Sequence, residues 1–298
     1  MNTIGWPMTA AARPNPSAGE PTARIDQLRR QLGALEAATG LAGDCGALFA
    51  LGTPVIDAAL GGGLGGGTLH EIAAVREAEV PAASGFALAL AARRISLRGA
   101  PAPIGNSCNA RNDGRPVSVP SGRNVLWTAE DLSLAENGAL YGPGLDEIGI
   151  APERLITVAA PCARDVLWTM EEALRCRAVG MVIGEMRPRG IDQVATRRLA
   201  LAAAAGNALG IILYTAPDDA PSAAVTRWII GAASFLDAER SHDVASPRFL
   251  ARLVRNRRGP LGTWIVEWNS VEQRFELATH SEPVAGAAFD RPHRTAVA

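Results

Sequence analysis

NVLWTAEDLSLAENGALYGPGLDEIGIAPERLITVAAP, residues 124–161, switches twice between the two periodicities open to a folded chain. Asn124–Thr128 is an apolar run of strand length, Leu132–Leu145 is mostly helical in composition, and Leu155–Val158 is a second apolar run. The alternation continues downstream. Arg164–Arg177 predicts a helix with Val166, Leu167, Met170, Ala173 and Leu174 on one face. Strand Met181–Glu185, helix Gln193–Leu209 and strand Ile211–Thr215 follow. Strands alternating with helices of this length predict an α/β fold, with a mostly parallel central sheet flanked by helices.

Upstream, FALGTPVIDAALGGGLGGGTLHEI (49–72) predicts a helical turn at Val55–Leu60, a glycine run and a strand over Leu69–Val75, and Ala87–Arg98 is helical in composition. Residues 99–123, dense in Pro, Gly, Asn and Ser, predict a flexible surface insertion. Residues 1–22 predict a disordered tail. Residues 23–46 predict an N-terminal helix and linker, with Ile25, Leu28, Leu32 and Leu35 spaced for one helical face. The core is expected over 47–278 and a loose tail over 279–298. Near the end, Arg227–Leu236, Arg248–Asn256, Thr263–Trp268 and Arg274–Leu277 predict an antiparallel extension of the sheet. Trp264 and Trp268 share a strand face with Val266. With Trp127 and Trp168 they are expected to pack in the core.

A composition of 48% hydrophobic and 20% charged residues supports a sizeable core. The net charge of −1 excludes global attraction to nucleic acid or anionic membrane, so such binding would need local patches. Cys45, Cys108, Cys162 and Cys176 are scattered, without a C-x-x-C pair. His70, His242, His280 and His293 do not cluster with them, so neither a metal site nor a disulfide framework is expected. No long apolar run predicts a signal peptide or a membrane span, and a cytoplasmic protein is expected.

All 29 basic residues are arginine; the chain has no lysine. Phosphate-binding strand–loop–helix units use G-x-x-x-x-G-K-[ST], with the lysine on the β- and γ-phosphates and the hydroxyl on magnesium. The best register here ends at Ser84-Gly85. It sets Val80 at the first glycine, Phe86 at the lysine and Ala87 at the hydroxyl position, so only Gly85 survives. Ser84, Gly85, Phe86 and Ala87 are therefore candidates for a degenerate nucleotide site, with Glu77 and Glu79 adding repulsive charge and Arg76 on the far side of the loop. Glu130, after strand NVLWTA, and Glu185, ending MVIGE, stand where such folds keep a water-activating and a magnesium-holding carboxylate. Both are vestigial catalytic candidates, or simply carboxylates that cap a helix or pair with arginine.

ALGTPVIDAALGGGLGGGTLHEI (50–72) resembles the segment that opens a RecA core. Residues 124–161 look like the next RecA unit, and ARLVRNRRGPLGTWIVEW (251–268) is similar to the basic strand and G-P turn of RadA-like and replicative helicase cores. Together with the failed P-loop, these segments resemble the ImuA family over roughly residues 24–277. The resemblance implies a RecA-like accessory protein of SOS-induced translesion synthesis. Its implied partners are RecA, an inactive Y-family polymerase relative of the ImuB type and an error-prone DnaE-type polymerase. The insertion at 99–123 departs from the family's short connection.

Arg248, Arg252, Arg255, Arg257 and Arg258 fall within eleven residues, and strand alternation places Arg255 and Arg257 on one face. By the resemblance, that pair addresses a neighbouring subunit's nucleotide, for which an active RecA protomer is a candidate. Contact with the DNA backbone is the competing expectation. A second group, Arg187, Arg189, Arg197 and Arg198, follows MVIGE, with two of its arginines opening an apolar helix. The expectation is a non-catalytic adaptor with no cofactor. The alternatives are a weak ATPase using Arg76 and Glu130, or a sequence-independent DNA-binding protein.

Overall fold

Three strands that carry almost no exposed surface run through the middle of the molecule, as expected where helices cover both faces of a sheet. The computed structural model describes residues 46–97, 124–187, 191–233 and 246–278, all within the unit Cys45–Ala298. The expectations for 1–22, 23–38, 99–123 and 279–298, and for Arg189, lie outside the described residues.

In chain order, strand β1 (Gly46–Phe49) leads to helix α1 (Pro54–Ala59), strand β2 (Leu64–Gly66) and strand β3 (Leu69–Ala74). A 3-10 turn at Glu77–Glu79 runs directly into helix α2 (Val80–Leu97). Next come β4 (Asn124–Glu130), α3 (Asp131–Asn137), α4 (Gly142–Ile148), β5 (Leu155–Ala160), α5 (Ala163–Arg175), β6 (Val179–Met186), α6 (Gln193–Gly206) and β7 (Leu209–Tyr214). The described chain ends with β8 (Thr226–Ala232), β9 (Arg248–Asn256), β10 (Gly262–Asn269) and β11 (Arg274–Leu277). The main sheet has the order β11-β10-β9-β8-β3-β7-β6-β4-β5. The six strands from β8 to β5 are parallel, and β9, β10 and β11 are antiparallel.

Three expectations are corrected. The strand predicted to begin at Arg227 is not part of the antiparallel extension alone. As β8 it pairs parallel with β3, because residues 215–225 carry the chain back across the sheet. The helix predicted over Leu132–Leu145 is two short helices. Gly138, at φ 81°, ends α3, and Pro143 starts α4. The predicted helix Ala87–Arg98 starts earlier, at Val80.

Two cores result. On one face α2 packs Val80, Ala83, Phe86, Leu90 and their neighbours against Ile72, Ile183, Ile211 and Leu213. On the other, α5 and α6 pack Val166, Met170, Leu174, Leu199 and Ala203 against Leu69, Val182 and Ile212. These helices approach closely: a Cβ on Gly206 would lie 1.9 Å from the carbonyl oxygen of Leu174.

One ion pair sits inside the sheet. Arg227 donates from Nε to Glu71 Oε2 (2.6 Å), from Nη1 to the Asp218 carbonyl (2.6 Å) and from Nη2 to the Ala220 carbonyl (2.8 Å). The guanidinium thereby ties β3 and β8 to the crossover loop. Glu71 Oε1 is buried without a partner. Removing one member of such a pair strands the other, which costs about 3–5 kcal/mol. Arg227→Ala is therefore expected to lower the unfolding free energy measured in urea by that order, and the double change Glu71→Leu with Arg227→Met by less. Equal losses would show that the pair does not anchor the loop.

Candidate functional site

The carboxyl ends of the parallel strands, where α/β sheets bind ligands, hold the residues expected to form a degenerate phosphate site. The expected boundary between loop and helix at Ser84-Gly85 is corrected: α2 begins at Val80, so Ser84, Gly85, Phe86 and Ala87 all lie within the helix. Only residues 75–79 separate it from β3, and three of those form the 3-10 turn. Phe86 is 1% exposed. Its ring lies 5.0 Å from Phe275, 5.6 Å from Phe249 and 6.0 Å from Trp228, centroid to centroid. Gly85 faces Phe249, and Ala87 is fully buried. Phe86, which the expected register aligned with the motif's lysine, anchors an aromatic cluster. Helical spacing explains this: Ala83, Phe86, Ala87 and Leu90 form one stripe at i, i+3, i+4 and i+7.

The surrounding charges are mostly negative and already engaged. Arg76 pairs with Glu79 at 2.6 Å, and Glu79 Oε2 accepts from the Ala232 amide at 2.9 Å. Arg187 pairs with Glu136. That hydrogen bond, and then the fields of Glu136, Glu77 and Glu130, hold Arg187 more firmly protonated than usual. Glu130 ends β4, half-buried, without capping α3. Glu185 is buried in β6, where its Oε1 accepts from Ser133 Oγ (2.6 Å) and Asn137 Nδ2 (3.0 Å). Its neighbours Val80, Pro81, Leu88, Leu140, Leu145 and Ile148 line a cleft of about 310 Å³ between α2 and α4. The described residues contain no cluster of three or more His, Cys, Asp or Glu that could hold a metal ion.

The arginines of the basic segment do not form one patch. Arg248 ion-pairs with Glu267 (2.9 Å) at one end of β9. Arg255 lies seven residues on, about 23 Å along an extended strand. An irregularity opposite Arg227/Trp228 leaves Val254 without a partner in β8 and sets Arg255 across from Arg227. Burial lowers the pKa of Arg255, and the Arg257 and Arg227 charges lower it further. Arg257 Nη2 donates to the Ser222 carbonyl (3.0 Å). Arg258 folds its guanidinium against Gly65, and Arg252 is exposed, across from Thr263. The Arg255–Arg257 group lies at the amino end of β8, the end of the sheet opposite the cleft.

Trp168 is corrected. It is 64% exposed and lines a groove with Arg164, Leu167, Glu171, Ala195, Arg198 and Leu199. Arg198 is held by Glu171, which also takes Arg175 at 2.6 Å. Arg197 and Arg198 open the exposed side of α6, whose N-terminus Asp192 caps through the Ala195 amide (2.7 Å).

His70 closes a chain of hydrogen bonds that sequence reading left unassigned. Thr68 Oγ1 donates to the Gly65 carbonyl (2.7 Å) and so accepts from His70 Nε2 (2.7 Å). His70 Nδ1 accepts from Thr226 Oγ1 (2.7 Å), which accepts from Trp228 Nε1 (3.0 Å). Every group has a partner only while the imidazole is neutral. Burial, with the Arg258 and Arg94 charges, lowers its pKa to about 3.

These features define an α/β protein with a RecA-like core, in which side chains fill the phosphate-binding end. No protein-family profile matches the chain. Two curated proteins from two strains of Caulobacter vibrioides, both named Protein ImuA, are each 28% identical to it over 163 residues, which is 51% of this chain. The match spans 64% of the length of those relatives, just under two thirds. It agrees with the resemblance to the ImuA family. No helix among the described residues is long and apolar enough to cross a membrane.

Two outcomes follow from the buried groups. Phe86→Lys would bury a charge among aromatic rings, with a loss of at least about 3–5 kcal/mol from packing alone. It is expected to lower the urea midpoint sharply without conferring MgATP binding in a fluorescent-nucleotide titration. For His70, the folded pKa lies below the unfolded value of 6.5, so its contribution is complete above pH 6.5. It drains away as pH falls towards 3, at about 1.4 kcal/mol per pH unit. Urea midpoints of the wild type and His70→Gln are therefore expected to converge between pH 7 and pH 5. A gap independent of pH would contradict the neutral imidazole.

Proposed function

We propose that this chain is a non-catalytic RecA-like adaptor in damage-induced mutagenesis. In this reading it links a RecA–DNA filament to an error-prone polymerase assembly of ImuB-type and DnaE-type proteins during SOS-controlled translesion synthesis in the cytoplasm. The observation that carries the reading is the helix beginning at Val80, which takes up Ser84–Ala87 and packs Phe86 into the core, in a chain similar to Protein ImuA. A site for triphosphate needs a pre-formed cradle of free amides and a cation. Here the amides belong to a continuous helix, and Arg76 and Arg187 are paired with glutamates.

What such a molecule retains is surface. The Arg255–Arg257 pair lies at the opposite end of the sheet from the filled site, which suits contact with a neighbouring molecule. DNA contact through exposed Arg252 is the alternative use of this strand. Arg255→Ala with Arg257→Ala is expected to weaken co-sedimentation with RecA–DNA filaments about tenfold, with little change in the urea midpoint. Undiminished co-sedimentation would overturn the filament-docking role. Micromolar MgATP affinity in the wild type would restore the ATPase reading. Retention on bare DNA that collapses between 50 and 200 mM salt would favour the phosphate backbone as the ligand.

A further inference from the structure

The cleft between α2 and α4 ends on a carboxylate that its surroundings only half satisfy. Glu185 is 5% exposed. Ser133 and Asn137 both donate to its Oε1, while Oε2 accepts nothing among the described residues. Among the described residues no arginine forms an ion pair with it. Arg187 is turned to Glu136, and Arg76 to Glu79. Glu185 shares the lining of the cleft with the apolar side chains of Val80, Pro81, Leu88, Leu140, Leu145 and Ile148, and with Ser84, Asn137 and Tyr141. Just beyond the end of β6, the charges of Glu136, Glu77 and Glu130 all act on the Arg187 guanidinium.

A buried carboxylate in a mostly apolar cleft, with further acidic residues near the end of its strand, selects a particular visitor. An anion is repelled by these acidic residues, and a nucleotide phosphate would meet Glu185 without a compensating cation. A neutral apolar side chain would fill the cleft but leave Oε2 desolvated and unpaired, which is costly. A long side chain with an apolar stem and a cationic head meets both demands. Its methylenes lie along leucine and isoleucine while its head reaches the carboxylate. The cleft's volume of about 310 Å³ falls at the small end of the range for ligand pockets, about 300–1,000 Å³, which suits one such side chain with an apolar neighbour.

We propose that this cleft is the docking socket for one arginine or lysine side chain, flanked by apolar residues, on a segment of a partner protein, with Glu185 Oε2 as the acceptor. The proposal rests on the reading that this end of the sheet holds no nucleotide, and it adds a definite contact to the adaptor. The specificity is for charge at the tip and apolar character at the base.

The probe is the acetylated and amidated tripeptide leucyl-arginyl-leucine, compared with the same peptide carrying citrulline, the uncharged near-isostere of arginine. Methyl NMR of the full chain is expected to show saturable shifts at Val80, Leu88, Leu140, Leu145 and Ile148, with a dissociation constant on the order of 1 mM. Citrulline or Glu185→Gln should weaken binding at least tenfold. Ser84→Leu narrows the cleft without touching the carboxylate and should abolish binding while the spectrum stays folded. Equal affinity for the citrulline peptide, full affinity in Glu185→Gln, shifts scattered over the acidic surface, or no saturable shift at all would each overturn the socket. Titration of MgATP into the same sample tests the parent reading separately. Nucleotide shifts at these methyls would sink that reading, whereas their absence alongside failed peptide binding would sink only the socket.

Discussion

The packing of the Phe86 ring decides how the two halves of this sheet are joined. Its contacts are Trp228 on β8, Phe249 on β9 and Phe275 on β11, and Phe275 in turn lies 5.0 Å from Trp268 on β10. One side chain on α2 thus reaches the last parallel strand and, directly or through one neighbour, all three antiparallel ones. Aromatic pairs at such spacings are worth about 0.5–1.5 kcal/mol each beyond buried area. A lysine here would put a charge among these rings and leave the antiparallel strands without their common anchor. With the helix beginning at Val80, residue 86 lies in its second turn, where its side chain serves the strands.

Charge placement follows from that packing. Where a triphosphate is held, carboxylates at strand ends are balanced by metal and lysine. Without those, Glu79 is absorbed by Arg76 and a backbone amide, Glu136 by Arg187, and Glu185 in part by Ser133 and Asn137. The break at Gly138 makes the last of these possible. It ends α3 at Asn137, beside Glu185, and turns the chain so that Leu140, Leu145 and Ile148 become the far wall of the cleft.

The alternation of apolar runs with amphipathic helices made the parallel sheet legible, because burial on both faces leaves runs such as MVIGE with no polar alternation to confuse with anything else. The direction of β8 was not legible, since a strand's composition does not record which neighbour it pairs with. Trp168 was misread by residue type although its periodicity was available. Arg164, Trp168, Glu171 and Arg175 recur at helical spacing, the stripe opposite Val166, Met170 and Leu174. The start of α2 was hidden because the glycine-rich motif template imposed a loop on VPAASG, a stretch whose proline suits the first turn of a helix. Arg255 and Arg257 were expected on one strand face, yet Arg257 lies just beyond the end of β9. The irregularity at Val254 and the bond from Arg257 to Ser222 place them, not simple alternation.

The absence of lysine also has a structural side. Arg227 satisfies one carboxylate and two carbonyls with three separate nitrogens of a planar fork, in a position 12% exposed at the side chain. Arg93 does the same on a smaller scale, giving Nε to the Ala50 carbonyl and Nη1 to the Gln273 carbonyl, and so ties α2 to the segments beside α1 and β11. An ammonium group is a point donor on a flexible stem and cannot span carbonyls on separate segments with fixed geometry. Arginine is therefore used here as an internal strut, and its work is to hold loops onto the sheet. In a nucleotide-binding core the principal cation is spent on the ligand. In this chain the well-placed cations are spent on the fold, which leaves carboxylates as the groups still open to solvent at the carboxyl ends of the strands.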